Sequence, residues 1–195
     1  MSYSEVYSGW KKDPEAFWME AAKDIDWITA PTKALNDERA PIYTWFDDGM
    51  VNACHNAVDR HVEAGRGAQT AIIYDSPITQ TKHKISYSEL RSRVASLAGA
   101  LRAKGVEKGD RVIIYMPMVP EALEAMLACA RLGAVHSVVF GGFAAHELAV
   151  RIDDCKPKAI IAASCGIEPG RVVHYKPLLD GALALSAHQP DFCVI

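Results

Sequence analysis

The sequence predicts an α/β fold: the N-terminal part of a large domain with a mostly parallel sheet flanked by helices, preceded by an aromatic-rich strap segment. Three observations carry this. From Arg111 onward, short apolar runs alternate with amphipathic stretches, the pattern of βαβ units with right-handed crossovers. The run Val135 to Phe140 is continuous, rich in valine, and stops at Gly141 and Gly142. All four tryptophans, Trp10, Trp18, Trp27 and Trp45, fall before residue 50.

The chain has 195 residues, half of them hydrophobic and 23% charged, which suits a globular protein with a real core. A net charge of −3 and the lack of a basic stripe argue against nucleic acid as a partner. No uninterrupted apolar run approaches the ~20 residues that span a bilayer, so no membrane is expected. The start, MSYSEVYSGWKKDPEAFW, lacks the apolar core of a secretory signal. Cys54, Cys129, Cys155, Cys165 and Cys193 are odd in number and contain no CxxC pair. Reduced thiols in a cytoplasmic protein are expected, without a metal site.

Residues 1–65 read as a lead segment and 66–195 as the start of a larger domain. Asp13 and Pro14 predict an N-cap and first helical residue, with a short helix over 14–22 carrying Phe17 and Trp18. The rest of 1–50 reads as irregular. A helix is expected from Val51 to Ala64, closed by Gly65, with Cys54, Val58 and Val62 as its apolar stripe. Asp59 and Arg60 are expected to make structural hydrogen bonds between the lead segment and the body.

Ala71 to Tyr74 predicts a strand, 75–83 a polar loop, and Lys84-Ile85 a second strand edge. Ser86 and Glu89 fit a capping box at the head of a helix that runs to Lys104. Its stripe is Leu90, Val94, Leu97 and Leu101, and Gly105 stops it. Strands follow at Arg111 to Met116, at Val135 to Phe140 and at Lys158 to Ala163. The second of these is expected to be buried on both faces. Helices are expected over 121–132, with Leu123, Met126, Leu127 and Ala130 inward, and over 144–154 and 177–187. Ser164 to Tyr175 reads as a loop, and Phe192 to Ile195 as the start of another strand. A chain that stops in an apolar strand is expected to be the front portion of a longer protein.

Ligands of open parallel sheets sit beyond the carboxyl ends of the strands. Phe140-Gly141-Gly142-Phe143 and Gly166-Ile167-Glu168-Pro169-Gly170-Arg171 both fall at such ends. Glycines permit close approach of a ligand to the backbone, and the Arg171 guanidinium suits a phosphate. The alternative is that Arg171 pairs with a nearby carboxylate, Glu168 or Asp180.

The ordered set of motifs resembles the acyl-CoA synthetases of the adenylate-forming superfamily. It comprises Phe17-Trp18, Trp45-Phe46, the run from Asn52 to His61, Ser86 to Leu90, Lys108 to Val112, Arg131 to Ala134, Val138 to Phe143 and the Gly166 to Arg171 loop. The resemblance covers essentially the whole chain. It implies a ligase that joins a short-chain carboxylate to coenzyme A with ATP and Mg2+, by way of an acyl-adenylate. Matched by position, Phe140, Gly141, Gly142, Glu168, Pro169, Gly170 and Arg171 would hold coenzyme A. The acetyl-type branch typically has arginine where Glu168 stands, so the resemblance favours propionate over acetate. The family's Ser/Thr/Gly-rich ATP loop and its catalytic lysine have no counterpart here. No catalytic residue is therefore assigned, and these 195 residues alone are expected not to form an adenylate. A flavodoxin-like redox module and a non-catalytic binding domain are the other classes kept open.

Overall fold

The computed structural model describes residues 2–195, with the side chain of Phe140 outside the described set. Contacts cluster into two units, Met1–Asn56 and Ala57–Ile195.

The first unit opens with two helices. α1 (Tyr3–Lys12) is capped by Ser2, whose hydroxyl accepts from the Glu5 amide while the Glu5 carboxylate accepts from the Ser2 amide. The same reciprocal signature appears at Ser86 and Glu89, but α1 was not expected from the sequence. α2 (Pro14–Ala21) starts as the Asp13-Pro14 pair predicts, with the Asp13 carboxylate accepting from the Ala16 amide at 3.0 Å. Two short antiparallel ribbons follow: β1 (Trp27–Thr29) pairs with β4 (Met50–Val51), and β2 (Leu35–Asn36) with β3 (Thr44–Trp45). Ring contacts of the tryptophans knit this unit. Trp18 meets Trp45 at 5.6 Å, Trp27 meets Phe46 at 5.7 Å, and the Trp27 indole donates to the Ala22 carbonyl at 2.7 Å.

The helix expected from Val51 begins two residues later, because Met50–Val51 pair as β4. His55–Asp59 and Val62–Arg66 wind as π-helical turns. Cys54 and Val58 are fully buried, as their spacing predicts, whereas Val62 is only partly buried. Asp59 is structural, as expected, and its partner is Arg131, which lies beyond residue 65. Arg131 Nη2 donates to both Asp59 carboxylate oxygens, at 2.8 and 2.7 Å.

In the second unit, β5 (Thr70–Ser76) and β6 (Thr81–Ser86) form one antiparallel hairpin. Most of the polar stretch expected as a loop is therefore paired. α3 (Tyr87–Ala103) starts at the Ser86–Glu89 capping box and buries Leu90, Val94, Ala98 and Leu101. Glu89 is held below the usual carboxylate range by hydrogen bonds from the Ser86 amide and hydroxyl.

Then the βα alternation sets in: β7 (Arg111–Met116), α4 (Pro120–Leu132), β8 (Val135–Phe140), α5 (Ala145–Cys155), β9 (Ala159–Ala162), and after further elements α6 (Tyr175–Leu185) and β12 (Phe192–Val194). The four strands form one wholly parallel sheet in the order β12-β9-β7-β8. β7 is central, with Val112 through Tyr115 fully buried. Side chains alternate across a strand, so Ile113 and Tyr115 enter one layer with Leu148, Ile152 and Leu179 of α5 and α6. Val112 and Ile114 fall on the opposite face, where α4 packs on β7 and β8 and α3 packs on α4.

Two expectations fail here. β8 is not buried on both faces: it is an edge of the four-strand sheet, and Val135 and Val138 are about half exposed. On α4 the buried side is Ala122, Ala125, Ala128 and Cys129, whereas Leu123 is exposed. Small side chains let α4 lie close to its neighbours, and this outweighs the larger hydrophobes on the other face. Burial pushes the Cys129 thiol up to about 11. Gly133 ends α4 in the left-handed conformation, φ +74°, where a Cβ would be strained.

A third correction concerns 164–175. The stretch is an antiparallel hairpin, β10 (Cys165–Glu168) and β11 (Arg171–His174), with Glu168 opposite Arg171 and Pro169-Gly170 as its turn.

Candidate functional site

The parallel register aligns the carboxyl ends of three strands. Met116 of β7 lies opposite Phe140 of β8, and Tyr115 lies opposite Ala162 of β9. Chain leaving β8 at Gly141 and chain leaving β9 toward the β10–β11 hairpin therefore emerge at one rim of the sheet. Between them opens a cleft of about 400 Å3.

Gly141 and Gly142 form one side of the cleft, and Gly166, Ile167 and Glu168 another. Met116, Pro117 and Met118, leaving β7, join Ala122 and Met126 of α4 and Val138 to give it mostly apolar walls. The structure thus brings Gly141, Gly142 and Glu168 together. Pro169, Gly170 and Arg171 stand apart from the lining, at the tip of the hairpin. The Phe140 side chain lies outside the described residues, while its backbone ends β8.

Arg171 pairs with Glu168 in this structure. Its Nη2 is 2.6 Å and its Nε 2.7 Å from the same carboxylate oxygen. Asp180 is engaged instead by Lys176, at 2.6 Å.

One residue that the sequence did not flag ties the site together. Tyr175, the first residue of α6, is 3% exposed, and its ring lies 5.0 Å from that of Tyr115. A Cβ at Gly141 would lie 2.8 Å from Tyr175 Cζ, and one at Gly166 2.8 Å from Tyr175 Oη. Neither glycine has the left-handed φ that only glycine favours, so both are there for space. What approaches them is a protein side chain. Tyr115 in turn donates from Oη to the Phe143 carbonyl at 2.8 Å and pins the turn after β8. The Phe143 ring carries the Arg151 guanidinium 4.4 Å from its centroid. Burial raises the pKa of both phenols. At Tyr175 the nearby Glu168 and Cys165 add to that rise, and at Tyr115 the neighbouring Tyr175 does. Both phenols therefore stay neutral at physiological pH.

The polar groups at this cleft can bind and orient. The described lining holds one carboxylate, one phenol and glycine backbone, with no nucleophile–base pair. Among the described residues, no group of three or more His, Cys, Asp or Glu could hold a metal ion. No described helix is long and apolar enough to cross a membrane.

Comparison with known proteins gives a consistent family. Residues 58–190 match the family described as AMP-binding enzyme, and residues 3–57 match the acetyl-coenzyme A synthetase N-terminus. The chain is 58% identical over 195 residues to an uncharacterized protein of Pseudomonas aeruginosa, covering all of this chain and 31% of that protein. It is 53% identical to the mitochondrial acyl-CoA synthetase short-chain family member 3 of Rattus norvegicus, covering 99% of this chain and 28% of the relative. It is 46% identical to the propionate–CoA ligase of Escherichia coli, over 97% of this chain and 30% of that enzyme. The chain thus spans less than a third of the length of these curated relatives. The AMP-binding match covers well over half of its own residues, and the chain belongs to the AMP-binding enzyme family.

Proposed function

We propose that this chain serves a short-chain acyl-CoA synthetase that acts on propionate, as its front portion. The reaction has two steps. A carboxylate oxygen of propionate attacks the α-phosphorus of ATP and expels diphosphate, with Mg2+ balancing the phosphate charge. The thiol of coenzyme A then attacks the acyl carbon, gives up its proton, and expels AMP.

The observation that carries this reading is the cleft where Gly141 and Gly142 meet the β10–β11 hairpin. It lies beyond the carboxyl ends of a parallel sheet, where such folds take ligands. Similarity along the chain to a propionate–CoA ligase and to a short-chain acyl-CoA synthetase supports the substrate class. In this reading Phe140, Gly141, Gly142, Glu168, Pro169, Gly170 and Arg171 receive coenzyme A. Arg171 exchanges its Glu168 partner for a phosphate of the incoming ligand. ATP, Mg2+ and the acyl group are handled by residues beyond these 195. Five free thiols support a reducing compartment, the cytoplasm.

The test has two arms. Calorimetry of the chain with coenzyme A is expected to show binding that Arg171→Ala weakens. Adding ATP, Mg2+ and propionate to the chain is expected to release no diphosphate. Absence of coenzyme A binding overturns the site. For the enzyme carrying this chain, thioester formation with acetate preferred to propionate overturns the substrate assignment.

A further inference from the structure

The cleft contains a polar group that the fold does not use. Tyr175 is almost wholly buried, and its hydroxyl, for which the described residues supply no partner, is the end left open to the cleft. A hydroxyl that faces a cleft keeps water as its partner until a ligand that offers an acceptor displaces it. The neighbouring Tyr115 hydroxyl is spent inside the fold, donating to the Phe143 carbonyl. Tyr175 instead lines the cleft, held there by a built socket. Gly141 and Gly166 leave room for its ring and hydroxyl, and the Tyr115 ring backs it at 5.0 Å.

The chemistry around the hydroxyl selects its acceptor. The walls formed by Met116, Met118, Met126 and Val138 are apolar and suit an alkyl chain. Glu168, also at the cleft, already engages the Arg171 guanidinium, so the pair presents no unpaired cation to a phosphate, while a neutral carbonyl needs none. Arg171 is not itself among the lining residues and reaches the cleft only through its pair with Glu168.

We propose that Tyr175 is a ligand-contacting residue of this cleft, its hydroxyl donating a hydrogen bond to an amide carbonyl of the thiol-bearing arm of coenzyme A. The inference rests on the coenzyme A reading above and goes beyond it by placing the arm, not the nucleotide end, against α6. The phenol orients the arm along the rim of the sheet. The ring alone would leave the amide without a partner.

The experiment is calorimetric titration of the chain and of Tyr175→Phe with two probes, coenzyme A and pantetheine. Pantetheine has the amides and thiol but no nucleotide and no phosphate. Phenylalanine keeps the ring in its socket, so the melting temperature should hold. Loss of one neutral hydrogen bond should weaken both probes equally, by about three- to tenfold. Failure of the unaltered chain to bind either probe overturns the coenzyme A reading and this inference with it. Binding that Tyr175→Phe leaves unchanged overturns the inference alone. So does a loss confined to coenzyme A, which would put the hydroxyl against the nucleotide end. Should the variant fold poorly, NMR of the unaltered chain with ring-labelled tyrosine reads the same contact. Pantetheine must then shift the Tyr175 Cζ resonance, and an unmoved resonance overturns the proposal.

Discussion

Arg171 and Glu168 face each other across the turn of the β10–β11 hairpin and close an ion pair, Nη2 to Oε2 at 2.6 Å. The pair is a resting contact of the cation that the proposed ligand's phosphates would need. Both side chains remain substantially exposed, so the pair adds only about 0–1 kcal/mol to stability.

Glu168→Gln is therefore expected to leave the melting temperature nearly unchanged and to free Arg171 for an anion. Affinity for coenzyme A should rise about threefold at low salt, and the gain should fade as salt screens the guanidinium. Calorimetry across a salt series checks this. Equal affinity for the two proteins at low salt would show that Arg171 meets no phosphate.

Gly141→Ala should destabilise the chain through space rather than backbone conformation. The new Cβ meets Tyr175 Cζ at 2.8 Å and the Met116 carbonyl at 3.1 Å, and the Tyr175 ring is backed by Tyr115. Overpacking of this kind costs about 1–3 kcal/mol. In a Tyr175→Leu background the penalty should shrink, which a double-mutant cycle on thermal unfolding measures. An identical penalty in both backgrounds would clear Tyr175 as the obstacle.

Asp59→Ala should be costly for folding. Asp59 and Arg131 are mostly buried, and the substitution removes both carboxylate contacts of Arg131 Nη2 at once. Losing one partner of a buried pair costs about 3 kcal/mol. Denaturant unfolding reads the change. A shift below about 1 kcal/mol would mean that the pair behaves as an exposed one.

Asp110 makes stability depend on acidity. The Glu107 amide donates to its carboxylate at 2.8 Å and Lys158 stands 3.1 Å away, and together they hold it below the usual value of 3.8. A lowered folded-state pKa means that the contribution is fully present above about pH 4 and is lost as pH falls through the folded value. Stability should decline as pH falls below about 4, less steeply in Asp110→Asn, as acid titrations of unfolding would show. Equal slopes would remove Asp110 from the acid response.

The parallel sheet was legible because its strands are short valine- and isoleucine-rich runs separated by helices of regular period. The Ser86–Glu89 cap and the Asp13-Pro14 start were legible because each is a local hydrogen-bond pattern written in adjacent residues. α1 carries the same Ser–Glu spacing at Ser2 and Glu5, but its tyrosines and tryptophan masked it as irregular. The inward face of α4 was misread because size was taken as the guide. Ala122, Ala125 and Ala128 win by allowing close approach, which depends on the neighbours and not on the helix. The β10–β11 hairpin looked like a loop because Gly166, Pro169 and Gly170 are turn residues. Only pairing across the turn shows Cys165 to Glu168 as a strand. The two glycine-bearing stretches of the site were visible as sequence, but Tyr175 was not. Its role arises from Gly141 and Gly166, which only the completed fold brings against its ring.

The hairpin is inserted between β9 and α6 and forms no rung of the parallel sheet. The rungs from Val112–Ala159 to Tyr115–Ala162 close before β10 begins, and α6 restarts the helical layer immediately after β11. Residues at the hairpin turn can change sign or number without displacing any rung. Evolutionary drift in what this rim prefers to hold is thereby uncoupled from the integrity of the scaffold. Divergence between sister enzymes should concentrate at Glu168 to Arg171 while the strands beneath stay the same.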